Sequence, residues 1–177
     1  MKKMIQTYLL KKRLKKSFPK MKFGSNFQIE HIDLLRNLNI QGYCYVGANA
    51  TWSLRGKITI GNNVILGPNS TIWPYNHNYN SLNYLPYGEK QEDIIKEIVV
   101  EDNVWIGMNV TLLAGVQIGE GAVIGANSVV SKDIPMCAIV AGNPATVIRY
   151  RDKERYVLLK KNNKLYLKHK YEIENKL

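Results

Sequence analysis

Of the three histidines in this chain, only His77 lies in its repetitive middle, within Asn76-His77-Asn78. An unperturbed imidazole titrates at about 6.5, so near neutrality it is uncharged and able to accept a proton. The chemistry this offers is general-base catalysis: taking the proton from a hydroxyl as its oxygen attacks an activated carbonyl. A lone loop histidine can equally be a solvated side chain. What marks His77 is its place at the start of a segment that interrupts a strict repeat. Covalent catalysis has no comparable candidate. Cys44 and Cys137 lack a histidine nearby in sequence and read as small buried thiols, with neither a disulfide framework nor metal-ligand spacing. No phosphate-binding loop, dinucleotide fingerprint or zinc pattern is present in the sequence, so no metal is expected.

The element that must position His77 is a repeat of six. From Val100 the chain reads VEDNVW, IGMNVT, LLAGVQ, IGEGAV, IGANSV, VSKDIP, and from Ile60 it reads IGNNVI, LGPNST, IWPYNH. Aliphatic residues open every unit, at 60, 66, 72, 100, 106, 112, 118, 124 and 130, and Gly follows at 61, 67, 107, 119 and 125. The fifth position is mostly small or β-branched: Val64, Ser70, Val104, Val110, Val116, Ala122 and Ser128. Weaker units open at Ile40 and Val46, followed by an irregular step over 52–57. Six fits neither a 3.6-residue helix nor plain strand alternation. It fits a three-sided prism in which each unit is a short strand and a corner, three units make a coil, and coils stack by parallel pairing ~4.8 Å apart. The opening aliphatics point inward, the fifth positions fill the narrow interior, and Gly is expected to supply unusual corner dihedrals. The interruption, WPYNHNYNSLNYLPYGEKQEDIIKE, must project from a corner, because stacked strands cannot absorb it.

The run VVEDNVWIGMNVTLLAGVQIGEGAVIGANSVVSKDIPMCAIVAGNPATVIR, over 99–149, resembles the hexapeptide acyltransferases. The branch it is most similar to contains maltose, galactoside, nodulation-factor and capsule O-acetyltransferases and the streptogramin and chloramphenicol acetyltransferases. NVWIG, GANSVVSKDIP and AGNPATVIR are the most specific pieces, and the match extends over roughly 40–149. The resemblance implies an all-β solenoid, a left-handed parallel β-helix with a projecting loop at about 74–97 and short helical appendages at both ends. It implies acetyl-CoA as acetyl donor, direct transfer to a hydroxyl, and His77 as the base. By the same resemblance, Trp105 lines the donor groove, and Met108, Ala126, Ser131, Lys132 and Arg149 lie along the path of CoA. Lys132 and Arg149 suit its phosphates. Asn49 is either an acceptor-binding residue or a corner asparagine. The family packs such prisms into homotrimers with sites between subunits.

The charge divides along the same lines. The chain carries 25 Lys and Arg against 14 Asp and Glu, a net +11 over 177 residues. Residues 1–22 hold nine basic side chains and no acid, and residues 149–177 hold ten against four, while 23–148 holds six against ten. A mildly acidic body argues against nucleic acid as a partner. Three parts are expected: a basic N-terminal segment, 1–38, forming a helical cap; the β-helix, 39–148; and a basic C-terminal tail or helix, 149–177. Ile5, Leu9, Leu10, Leu14 and Phe18 give the N-terminal segment an amphipathic stripe, suited to capping the solenoid or to peripheral association with a membrane. No run approaches the ~18 apolar residues of a membrane span, so a soluble, cytoplasmic enzyme is expected. The expected function is acetyl-CoA-dependent O-acetylation of a sugar or surface-polysaccharide precursor. A xenobiotic acetyltransferase and a non-catalytic scaffold are the alternatives; a γ-class carbonic anhydrase would need several metal-binding histidines.

Overall fold

Short strands that each contribute one inward aliphatic side chain bury those side chains only when stacked in register about a common axis. The computed structural model describes residues 2–174, with side chains from Leu10 onward. It follows that rule. Helix α1 (Lys2–Ser17) leads into a first coil of β1 (Met21–Phe23), β2 (Gln28–Glu30) and β3 (Leu38–Ile40). The second coil is β4 (Cys44–Val46), β5 (Thr51–Ser53) and β6 (Ile58–Ile60). The third begins with β7 (Val64–Leu66) and β8 (Thr71–Trp73) and leaves the prism for a loop, whose two limbs pair as β9 (Tyr75–Asn76) and β10 (Ile94–Ile95). It then closes with β11 (Ile98–Val100). The fourth is β12 (Trp105–Ile106), β13 (Thr111–Leu113) and β14 (Gln117–Ile118); the fifth holds β15 (Val123–Ile124) and β16 (Val129–Val130). After them β17 (Ala138–Gly142) folds back antiparallel on β18 (Ala145–Tyr150), and helices α2 (Lys153–Lys161) and α3 (Tyr166–Glu174) end the chain.

The strands form three faces. Face A stacks β1, β4, β7, β12, β15 and β17, with β18 at its edge; face B stacks β2, β5, β8, β13 and β16; face C stacks β3, β6, β11 and β14. Pairing between coils is parallel and in register, as in Ile60 with Val100 and Val100 with Ile118. All nine aliphatic openers from Ile60 to Val130 are at most 1% exposed, which makes them a single apolar column. The small residues at the fifth position fill the corners of that column, none more than 3% exposed.

Two expectations are corrected. The Gly after the aliphatic opener does not provide a left-handed backbone, since none of Gly61, Gly67, Gly107, Gly119 and Gly125 has a positive φ. Its role is close approach: a Cβ on Gly67 would sit 2.6 Å from the backbone of Gly107 and Met108, and one on Gly107 would sit 2.7 Å from the Ala126 nitrogen. The left-handed corner residue comes two positions later and is usually Asn, at 49, 63, 69, 103, 109 and 127, with φ between 55° and 59°. Asn tolerates this region because its side chain can bond locally. The asparagines also bond from coil to coil: Asn69 donates to Asn109 at 2.7 Å, and Asn109 donates to Asn127 at 2.9 Å.

The second correction concerns the boundary expected at 39. The first coil begins at Met21, inside the expected N-terminal segment, with β1 paired to β4 and β2 to β5. Its repeat is hidden because Ile29 and Ile40 are eleven residues apart and a 3-10 turn, Ile32–Asn37, fills the gap. Helix α1 caps this open end, with Leu14 fully buried, Leu10 and Phe18 packed on the core, and Lys11, Lys12, Arg13, Lys15 and Lys16 exposed. Ile5 and Leu9 of the expected stripe lie outside the described side chains. Helix α3 docks on face A through buried Leu167 and Tyr171; the Tyr171 hydroxyl donates to the Cys44 carbonyl at 3.0 Å. No described helix is long and apolar enough to cross a membrane.

Candidate active site

The loop at 74–97 leaves the prism at the corner between faces B and C, and its base is a two-residue antiparallel ladder. Asn76 faces Ile94 and Tyr75 faces Ile95. Extending that register by one position sets His77 opposite Asp93, and there the Nδ1 of His77 lies 2.9 Å from Oδ1 of Asp93. The other carboxylate oxygen takes the guanidinium of Arg55, which also donates to the Lys90 carbonyl at 2.7 Å. The Arg55 guanidinium carbon lies over the Tyr75 ring, 4.6 Å from its centre. Tyr87 stacks on the His77 imidazole at 4.1 Å and 9°, while Tyr75 meets it edge-on. The imidazole is therefore fixed by a hydrogen bond in its plane and a ring on its face.

The electrostatics follow from burial. The Asp93 side chain is wholly buried, the Arg55 side chain is 11% exposed and the His77 side chain 45% exposed. Burial alone pushes the Asp93 carboxyl up, but the hydrogen bond from His77, then the bond and charge of Arg55, outweigh it and hold the group below its ordinary value. An ionised carboxylate only accepts hydrogen bonds. For the neutral imidazole, the network assigns the proton to Nδ1 and leaves Nε2 as the acceptor. That is the arrangement a general base needs.

Asp93 and Arg55 were not picked out from the sequence. Asp93 is the one aspartate among residues 74–97, and its pairing with His77 follows once the loop is treated as a hairpin. Arg55 sits where the repeat is irregular. Trp52 and Ile60, both inward-facing, are eight residues apart rather than six, so this corner holds two extra residues and Arg55 is on it. Beside it, a Cβ on Gly56 would meet Pro74 at 2.8 Å and Ile95 at 3.0 Å, so the loop base rests directly on this corner.

The other expected site residues fall on three parts of the prism. Ser131 and Lys132 are exposed at the B–C corner, on the same edge as the His77 loop and two coils further along. Met108 and Ala126 stack on each other's coils at the A–B corner, both exposed, and Asn49 shares that edge. Asn49 is a left-handed corner residue that accepts a hydrogen bond from Asn26 at 3.1 Å, in line with its corner reading. Trp105 projects from face A, 53% exposed. The ladder runs from Trp105 through Val123 and Ile139 to Arg149, which is exposed on β18. Trp105 also borders a cavity of about 270 Å³ between face A and α2, with Asn103, Arg151, Tyr156, Lys160 and Tyr166. Arg151 and Lys160 are cations near Trp105 that the sequence did not single out. Within one chain, then, His77 lies on the edge opposite the face that carries Trp105, and the structure does not bring them together. Both cysteines are free and buried, and burial pushes the Cys44 thiol up to about 12, which removes it as a nucleophile.

Comparison with known proteins agrees with this architecture. The bacterial transferase hexapeptide family (six repeats) matches residues 97–132. A hexapeptide-repeat acetyltransferase from Vibrio cholerae, solved with acetyl coenzyme A, is 34% identical with a TM-score of 0.62, and the match covers 74% of this chain and 70% of that one. A maltose O-acetyltransferase from Clostridium difficile is 31% identical with a TM-score of 0.59, over 73% of this chain and 71% of that one. Galactoside O-acetyltransferase of Escherichia coli is 37% identical over 123 residues, 68% of this chain and 59% of the relative. The chain belongs to the hexapeptide-repeat transferase family, and its solenoid is the left-handed parallel β-helix of that family. It spans about half the length of the first curated relatives it matches, 51% and 55%.

Proposed function

We propose that this protein is an acetyl-CoA-dependent O-acetyltransferase whose acceptor is a hydroxyl of a sugar or a surface-polysaccharide precursor. The observation that carries the reading is the His77–Asp93 pair on a projecting loop, with the imidazole bonded at Nδ1 and half-exposed. Nε2 takes the acceptor's proton as the hydroxyl oxygen attacks the thioester carbonyl. The tetrahedral intermediate collapses with loss of the thiolate, and the imidazolium returns the proton to give CoA thiol and an acetyl ester. Asp93 keeps the proton on Nδ1 through the cycle and stabilises the transient imidazolium. The donor lies along Trp105, Met108, Ala126 and Ser131, with Lys132 and Arg149 toward its phosphates. The names of the relatives, which include acetyltransferases of galactosides and maltose, support both the donor and a sugar acceptor.

Because His77 and Trp105 occupy opposite sides of one prism, the complete site is assigned to the groove between two chains of a homotrimer. Its natural setting is the cytoplasm, and the exposed lysines of α1 suit an anionic glycan or membrane surface beside it. The test is thiol release from acetyl-CoA over a panel of sugars, glycans and antibiotics, with wild type and His77→Ala side by side. His77→Ala is expected to lose at least about 100-fold in turnover while still binding CoA. Full activity in that variant overturns the mechanism. Acetylation of antibiotics alone moves the acceptor class, and failure of the wild type to bind CoA returns the protein to a scaffold.

A further inference from the structure

Asp93 presents a chemical problem that Arg55 solves. A buried carboxylate bonded only to an imidazole favours the protonated ring, and a permanently protonated ring cannot act as a base. Here the carboxylate is divided between two partners, one oxygen to His77 Nδ1 and the other to the guanidinium of Arg55. The charged groups around this cluster are few. On His77 itself bear Asp93, Tyr75 and Tyr87; on Arg55 bear Asp93, the Lys90 carbonyl and the Tyr75 ring. The neighbouring acids are engaged elsewhere: Glu92 accepts from Ser81, with Asn83 and Asn78 also bonded to it, Glu97 pairs with Lys57, and Glu89 accepts from the Gln91 side chain. Arg55 is thus the cation that offsets Asp93.

We propose that Arg55, on the lengthened corner between β5 and β6, is a positioning and tuning residue: by holding the second oxygen of Asp93 it orients His77 and keeps the imidazole in its neutral, proton-accepting form. This rests on the reading of His77 as the base. The geometry has a division of labour. The corner belongs to the rigid prism, whereas His77 and Asp93 belong to the projecting loop, so Arg55 fixes the loop base to the scaffold through Asp93 and the Lys90 carbonyl together. The two extra corner residues and the close approach at Gly56 are what bring the side chain within reach.

Two variants separate tuning from mere support, because their signs are opposite. Arg55→Gln leaves Asp93 uncompensated beside His77, so the ring holds its proton to higher pH, whereas Asp93→Asn removes the attraction and the ring loses its proton at lower pH. Both are read by NMR titration of the His77 ring, assigned with His77→Ala, and by the acid limb of the pH–rate profile. The expected displacement is about one pH unit upward for Arg55→Gln and about one downward for Asp93→Asn. Arg55→Lys keeps the charge but loses the two-pronged geometry. It is expected to leave the titration midpoint in place while turnover falls at least about tenfold with KM little changed. If Arg55 only supported the loop, loosening it would expose His77 and detach Asp93, and the midpoint in Arg55→Gln would fall; a fall, or no change, overturns the proposal. Should Arg55→Gln not fold, a displaced midpoint in Arg55→Lys or an upward one in Asp93→Asn overturns it equally. The ring titration requires no substrate, so an absence of acetyl transfer defeats the enzymatic reading without touching this measurement.

Discussion

Asp93 and Glu120 are two of the carboxylates held below their ordinary values in the folded chain, as are Glu92, Glu97 and Glu174. Asp93 is pushed up by burial but brought below its ordinary value by His77 and Arg55. Glu120 is likewise pushed up by burial and lowered by Lys160, at 2.6 Å, and by the Tyr156 hydroxyl, at 2.6 Å, which together dock α2. A carboxyl lowered in the folded state contributes stability that is fully present above its unfolded value, about 3.9 for Asp and 4.3 for Glu, and is lost as the pH falls through the folded one. Thermal melts are therefore expected to weaken as pH drops below about 4, and Asp93→Asn should flatten that dependence, because its amide does not titrate. An equal acid dependence in Asp93→Asn and wild type would remove Asp93 from this role. The residues differ in how legible they were. His77 could be found because the repeat is broken around it. Asp93 and Arg55 could not, because one depends on hairpin register sixteen residues away and the other on a corner of the preceding coil.

The coil is legible where its units have equal length and obscure where they do not. From Ile60 onward every opener sits on the column axis, so phase alone gave strands, faces and the exit point of the loop. The first coil, with its eleven-residue step and buried Met21, Phe27 and Leu38 in place of regular aliphatics, gave no such phase. The glycines are plain in the repeat, but their purpose, contact with the next coil's backbone, is not visible in the local pattern. Asn109 tests the corner physics. It holds φ 55° and sits between Asn69 and Asn127 in the ladder. Asn109→Gly keeps the backbone and loses two hydrogen bonds. Asn109→Ala loses the same bonds and adds the left-handed penalty of about 1–2 kcal/mol. Ala is thus expected to melt below Gly at this position, the reverse of the usual order inside a strand. Gly67→Ala, which drives a Cβ into the next coil's backbone, should cost about 1–3 kcal/mol even though its φ is not positive. Chemical denaturation of the three variants decides these points; an Asn109→Ala variant as stable as Asn109→Gly would show that the corner is unstrained.

At the scale of the whole molecule, the net +11 resolves into a cap and two docked helices around an acidic prism, so the charge is carried where neighbouring coils are absent. The prism itself raises a different question, since the two regions of the proposed site point away from each other. Face A carries Trp105, and the edge that face A does not touch carries His77. One chain cannot close a site from both, but a ring of chains related by a threefold axis can set one chain's edge beside the next chain's face. Such a trimer would have three times the 20.2 kDa of the chain, about 61 kDa by sedimentation. Mass alone does not say where the site is, and mixing does. His77→Ala lacks the base but keeps the donor face; Trp105→Ala lacks the aromatic wall but keeps the base. Each homotrimer should be inactive or nearly so. If every site joins one chain's His77 to another's Trp105, co-refolding the two in equal amounts gives mixed trimers in which about a quarter of the sites hold both intact residues. Activity is therefore expected to rise from near zero to about a quarter of wild type. If each site lies within one chain, no mixture of the two variants contains an intact site, and the mixed sample stays as inactive as its parts.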